Sequence, residues 1–330
     1  MTKFKLSAAA LLCGAVLFPA FGDEPLRQEA LRLFGRIDPP AATSLTTAEV
    51  ALGRALFWDT RLSLDGKTAC ASCHAAADWG ADRRPASIDA KGLPTSRHSP
   101  TVFNTMGQPT LRWLGDRKTG ADQAEGSLTG SMGFATKQAG VEKMVLLQYE
   151  AAFKAAYPSE PEPMNAKNYG RALQAYQATL ATPAPFDRFL GGDDRAIDAR
   201  QKAGLRTFID TGCSACHNGA LLGGTQYMKF GLVKEYWSAT KSKKVDDGRF
   251  AVTKKEEDRY VFRVPTLRNV AKTAPYFHDG SVESLDGAVR IMGGLQLGRE
   301  LDDATVASII AFLESLTGDV PTHYAAPEAR

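Results

Sequence analysis

The chain has 330 residues, 44% of them hydrophobic and 23% charged, an ordinary globular balance that excludes a disordered chain. A formal charge of +3 is too small for a nucleic-acid footprint, and no apolar run of membrane-spanning length follows residue 22. At roughly 150 residues per domain, the length fits two domains.

In chain order, Lys3 and Lys5 give a basic start, and Leu6 to Phe18 is apolar but short. Ala20-Phe21-Gly22 then offers small residues before a cut at Asp23. Residues 1–22 are therefore expected to be a signal peptide rather than a retained anchor helix. Leu12 is a poor residue to precede a lipid on Cys13. The mature chain, with 38 basic and 37 acidic residues, is expected to be exported, soluble and without a membrane span.

Thr46 and Glu49 then read as a capping box for a helix that places Leu52, Ala55 and Leu56 on one face. Ala203, Leu205, Phe208 and Ile209 predict a second helix, stopped by Gly212. Val306, Ile309, Ile310, Leu313 and Leu316 predict a third, with Asp302 and Asp303 at its start and Gly318 past its end. Thr182-Pro183-Ala184-Pro185 reads as a linker, and strand-like alternation is scarce.

After each of the first two helices comes the same motif, Cys70-Ala71-Ser72-Cys73-His74 and Cys213-Ser214-Ala215-Cys216-His217. This is the spacing of c-type haem attachment, in which two thiols add to the porphyrin vinyl groups and the adjacent imidazole reaches the iron. Zinc could use two Cys pairs and two His, and a thioredoxin-like dithiol uses the same Cys spacing. Two copies with His after the second Cys, in an exported chain with no other mature cysteine, favour haem. The expected fold is mostly α, with two cytochrome c-like haem domains in tandem over residues 23–182 and 183–330.

Ligands for the remaining iron faces are few. Apart from His74 and His217 the histidines are His98, His278 and His323, and after the second motif only Met228 and Met292 carry a thioether. A Met–His pair raises the haem potential and suits electron storage.

Phe262-Arg263-Val264-Pro265-Thr266-Leu267-Arg268-Asn269-Val270, followed by Thr273-Ala274-Pro275-Tyr276-Phe277-His278-Asp279-Gly280, resembles the bacterial di-haem cytochrome c peroxidase family, which also includes MauG. Ser99-Pro100-Thr101-Val102-Phe103-Asn104 and the segment from Leu62 to Cys70 resemble it too. The resemblance implies a periplasmic oxidoreductase whose N-terminal haem binds peroxide and whose C-terminal haem stores an electron. It places Met292 as axial ligand, where MauG has a tyrosine, and Trp113 between the haems; an ordinary buried aromatic is the alternative for Trp113. Trp113-Leu114-Gly115-Asp116-Arg117 departs from the family's usual Trp-Asp-Gly-Arg. Trp58, Trp79 and Trp237 have no comparable claim.

On the distal side of the first haem the chain breaks the family pattern. The family's blocking histidine falls at Ala90, between Asp89 and Lys91, and the segment that often carries a glutamate reads Ser131-Met132-Gly133-Phe134. Peroxide cleavage still needs a proton moved. Asp89 is the candidate for that role, with a solvated loop aspartate as the alternative. Family likeness also puts Thr273 and Pro275 at the carbonyl ligands of a calcium ion, but His98 stands where the family has asparagine, a better calcium ligand. His278 is expected to line the inter-haem region and His323 to be a surface tail residue.

The resulting expectation is a peroxidase with two covalent haem c groups, with or without calcium, that reduces hydrogen peroxide with electrons from a small c-type cytochrome or copper protein. It includes a homodimer and a readiness to react without reductive activation. The alternatives are a MauG-like enzyme that uses peroxide to oxidise a protein substrate, and a non-enzymatic di-haem electron carrier. Lys241, Lys243, Lys244, Lys254 and Lys255 could dock an acidic donor, though nearby Asp and Glu favour a solvated loop.

Overall fold

The computed structural model describes residues 24–41 and 45–328, so the leader and Cys13 lie outside the described residues. In chain order the helices are α1 (Glu24–Leu33), α2 (Ala48–Trp58), α3 (Gly120–Ser127), α4 (Lys137–Leu146), α5 (Glu150–Ala156) and α6 (Ala166–Ala178). They continue with α7 (Pro185–Leu190), α8 (Ala199–Thr211), α9 (Tyr236–Thr240), α10 (Phe250–Thr253), α11 (Leu285–Gln296) and α12 (Asp303–Glu314). The strands among the described residues are β1 (Tyr227–Lys229) and β2 (Val261–Arg263), antiparallel with Met228 opposite Phe262. The fold is mostly α, as the periodicity predicts.

Each Cys-x-x-Cys-His motif follows a helix that crosses a later helix at a glycine. A Cβ on Gly53 of α2 would lie 1.9 Å from the Ala172 carbonyl oxygen on α6. A Cβ on Gly204 of α8 would lie 2.1 Å from the Ser308 carbonyl oxygen on α12. Only a residue without Cβ permits backbones this close. The helix starts differ from expectation at one point. The cap of α2 is Thr47, not Thr46: Thr47 has extended backbone, and its hydroxyl accepts from the Val50 amide at 3.2 Å. Gly212 ends α8 in the left-handed conformation at φ 97°, and Asp302 caps α12.

Two main cores result. Val50, Leu56, Phe57, Tyr169 and Tyr176 belong to the first, and Phe186, Phe208, Ile309 and Phe312 to the second. The chain's ends cross between them. Ala30 and Phe34, from α1 and just beyond it, pack in the second core, and Val320 and Tyr324 pack in the first. A third cluster of Leu114, Phe230, Tyr236, Phe262 and Leu295 fills the junction, with Trp113 and Met292 against it.

Candidate haem sites and the junction between them

The two motifs are built alike. Short turns at Cys70–Ser72 and Cys213–Ala215 bring each histidine's amide onto the first cysteine's carbonyl, at 3.1 Å for His74 and 3.0 Å for His217. His74 Nδ1 donates to the Gly80 carbonyl at 2.9 Å, and His217 Nδ1 to the Leu222 carbonyl at 3.1 Å. A carbonyl only accepts, so Nδ1 carries the proton and Nε2 is left with a lone pair for a metal. Burial lowers the pKa of both imidazoles and keeps them neutral, as a ligand must be.

Behind each histidine stands a repeated Pro-Thr-x-x-Asn segment, at Pro100–Asn104 and Pro265–Asn269. Thr101 donates to the Trp79 carbonyl at 2.6 Å and accepts from the Phe103 amide at 3.0 Å. Thr266 does the same with the Leu221 carbonyl, at 2.7 Å, and the Arg268 amide, at 3.1 Å. Asn104 and Asn269 both adopt positive φ, and their amides reach the Leu180 and Leu316 carbonyls, each at 3.1 Å. Their side chains converge on buried Thr182 Oγ1, at 2.8 and 2.9 Å. The linker hydroxyl thus ties the two proximal loops together.

Several features fit haem. The four thiols are unpaired, and burial pushes Cys70 up to about 12 and Cys213 up to about 11. Among the described residues no three His, Cys, Asp or Glu side chains come together to hold a metal ion. At the junction, Arg263 is 5% exposed, and burial drives its pKa down to about 10. Its Nε donates to the Arg112 carbonyl at 2.8 Å, while Nη1 has no partner, as has His278 Nε2. Buried donors without partners are costly, and a group that brings its own carboxylates, as haem does, would satisfy them.

Trp113 sits at this junction. Its indole N–H donates to the His98 carbonyl at 2.9 Å, its own carbonyl accepts from the Arg263 amide at 2.8 Å, and its ring lies 6.4 Å from that of His278. His278 is 2% exposed, stacked on Phe262 at 4.3 Å and edge-on to Tyr236 at 5.2 Å. Met292 lies half-buried on α11, one turn beyond Val289, against the same aromatic cluster. His98 is buried; its Nδ1 donates to the Arg84 carbonyl, and its amide donates to the His278 carbonyl at 2.8 Å. That contact brings it beside the loop of Thr273 and Pro275.

The two segments expected on the distal side meet. The Ala90 amide donates to the Ser131 carbonyl at 2.9 Å, and a Cβ on Gly133 would lie 3.2 Å from that of Ala90. Asp89 organises the adjoining turn: its Oδ1 accepts from the Lys91 and Leu93 amides, each at 2.9 Å. His323 corrects expectation. It is half-buried, with Nε2 at 2.9 Å from Thr179 Oγ1, because the tail packs on the first domain. The Pro-Thr-x-x-Asn repeat and the crossing of the chain ends were missed in the sequence; an internal comparison of the halves would have found the first.

A family model described as di-haem cytochrome c peroxidase matches residues 47–195. The chain is 44% identical over 306 residues to the cytochrome c551 peroxidase of Pseudomonas aeruginosa, covering 90% of this chain and 88% of that protein. It is 41% identical over 276 residues to the cytochrome c peroxidase Ccp of Escherichia coli, covering 82% of this chain and 58% of that protein. Among solved structures, a MauG-like protein associated with microbial copper homeostasis has a TM-score of 0.75 at 25% identity, covering 88% of this chain and 97% of that one. Together with two haem motifs on matching scaffolds, this likeness means that the chain belongs to the di-haem cytochrome c peroxidase family and is an oxidoreductase of that family.

Proposed function

We propose that the mature chain is a periplasmic peroxidase that reduces hydrogen peroxide to water with electrons from a small c-type cytochrome or copper protein, without reductive activation. The observation that carries this reading is the meeting of Ala90 with Ser131 and Gly133. Where the family resemblance puts a blocking histidine and a proton-moving glutamate, this chain has a methyl group at Ala90 and no carboxylate across Ser131–Phe134.

Haem, held covalently by Cys70 and Cys73 and by Cys213 and Cys216, supplies the iron that binds peroxide and the store for its electrons. His74 and His217 aim Nε2 at the metal position because Nδ1 is fixed on a backbone carbonyl. Met292, on α11 against the junction cluster, would hold the C-terminal haem together with His217. Trp113, hydrogen-bonded to one domain and packed on the other, is the bridge for charge between them. In this reading Asp89 Oδ2 takes and returns the peroxide proton, while Oδ1 stays on the turn amides. A calcium ion would take the Thr273 and Pro275 carbonyls, with His98 in place of the amide ligand. A second copy would cover the exposed Leu64, Ile88 and Leu93, which flank Ala90 and Gly133.

Mixing the fully oxidised protein with peroxide and a reduced c-type cytochrome tests the proposal. Turnover without a lag is expected; a lag abolished by prior reduction contradicts the claim of open access. Peroxide-dependent modification of a co-expressed protein, with the cytochrome left reduced, would favour the MauG-like reading, which the missing distal carboxylate supports. No peroxide consumption at all would leave an electron carrier.

A further inference from the structure

Trp58, Tyr176 and Tyr324 form a run of oxidisable rings that begins at the proximal histidine of the first domain and ends near the surface. Tyr324 is 3% exposed, and its phenol donates to the His74 carbonyl at 2.5 Å. Its ring meets Trp58 edge-on at 5.3 Å and lies nearly parallel to Tyr176 at 6.4 Å. Trp58, half-buried at the end of α2, donates its indole N–H to the Tyr176 oxygen at 3.1 Å. These rings belong to the first core, whereas Trp113 belongs to the junction cluster.

We propose that this run is a second exit for oxidising equivalents: when peroxide outruns the electron donor, Trp58 supplies an electron toward His74 through Tyr176 and Tyr324. The proposal rests on the peroxidase reading above. Hydrogen peroxide takes two electrons and two protons to become two waters. In this branch the two protons come from solvent, one electron comes from a haem of the same chain, and the other comes from the Trp58 indole, which becomes a radical cation. Its proton stays on Nε1, in the hydrogen bond to Tyr176, and no protein bond breaks. One later electron from the donor protein restores it.

The hydrogen bonds decide which ring keeps the oxidation. A phenol gives up an electron readily only when a base takes its proton. Tyr324 donates to the His74 carbonyl and Tyr176 to the His323 carbonyl at 3.3 Å, and backbone carbonyls are not bases. Burial pushes the Tyr176 phenol up to about 12. The tyrosines therefore pass charge without holding it, and Trp58 holds it.

The test uses the mature holoprotein, fully oxidised, with excess hydrogen peroxide and no donor. Freeze-quench electron paramagnetic resonance should show an organic radical altered by indole deuteration and not by tyrosine-ring deuteration. With no donor to restore it, a further oxidising equivalent from the excess peroxide and an oxygen from water should leave Trp58 one oxygen heavier, which peptide mass spectrometry should find. Trp58→Phe should lose the signal and bleach its haem several-fold faster, yet keep donor-supported turnover. A radical that survives in Trp58→Phe, a tyrosine-type radical, or unmodified Trp58 alongside normal turnover would overturn the proposal. Should Trp58→Phe not fold, the labelling and peptide map of the wild type decide alone. Failure to consume peroxide even with donor would overturn the peroxidase reading, and this inference with it.

Discussion

One hydroxyl, that of Thr182, serves as acceptor for two buried asparagine amides, one from each proximal loop. Thr182→Val keeps the shape and removes the acceptor, leaving Asn104 and Asn269 donors unpaired. Each unpaired buried donor costs about 1–3 kcal/mol. Thr182→Val should lower stability by that order, measured by denaturant unfolding of the holoprotein, and Thr182→Ser should recover most of it; equal loss in both variants would contradict the hydrogen-bond account. At this scale the sequence was legible where side-chain type is the chemistry, as in the cysteines, His74 and His217. It was illegible where the partner is backbone. The Gly80 and Leu222 carbonyls orient the two imidazoles, and neither residue's identity announces that role.

Helices α2 and α6, and likewise α8 and α12, approach so closely at Gly53 and Gly204 that a methyl group has no room. Gly204→Ala should force α8 from α12 and cost about 1–3 kcal/mol, the usual penalty of overpacking. Thermal unfolding followed at the haem absorbance should show the loss. An unchanged midpoint for Gly204→Ala would contradict the close crossing. The helices themselves were legible, because Leu52, Leu56, Phe208, Ile309 and Leu313 fall on buried faces at helical spacing. The cap at Thr47 rather than Thr46 depended on one residue's backbone conformation, which adjacent threonines do not reveal. Tyr324 and Phe34 gave no sign that they belong to the core of the other domain, since an isolated aromatic near a terminus carries no periodicity.

Across the whole molecule the two domains are clamped by Arg97 and Asp246, whose bidentate pair has N–O distances of 2.7 and 2.8 Å. Burial raises the Asp246 carboxyl, but the Arg97 hydrogen bonds outweigh it and hold its pKa below the ordinary value. A lowered folded pKa contributes stability that is present above the unfolded value, about 3.9, and is lost as pH falls through the folded one. Asp246→Asn should therefore be less stable than wild type by about 1.5–3 kcal/mol near neutrality, the range for hydrogen bonds to charged groups. The difference should hold down to about pH 5 and shrink below it. A gap that persists unchanged in acid would show that the charge is not its source.

The clamp, the shared Thr182 and Trp113 join two haem domains whose distal sides differ, and that difference is the centre of the functional account. Electron paramagnetic resonance of the fully oxidised protein, as isolated, tests it most directly. The account predicts a high-spin, five-coordinate or water-bound haem at His74, since Ala90 offers no ligand, beside a low-spin haem at His217 and Met292. Met292→Ala should alter only the low-spin signal. Two low-spin haems, with no reaction toward peroxide until the protein is reduced, would contradict it.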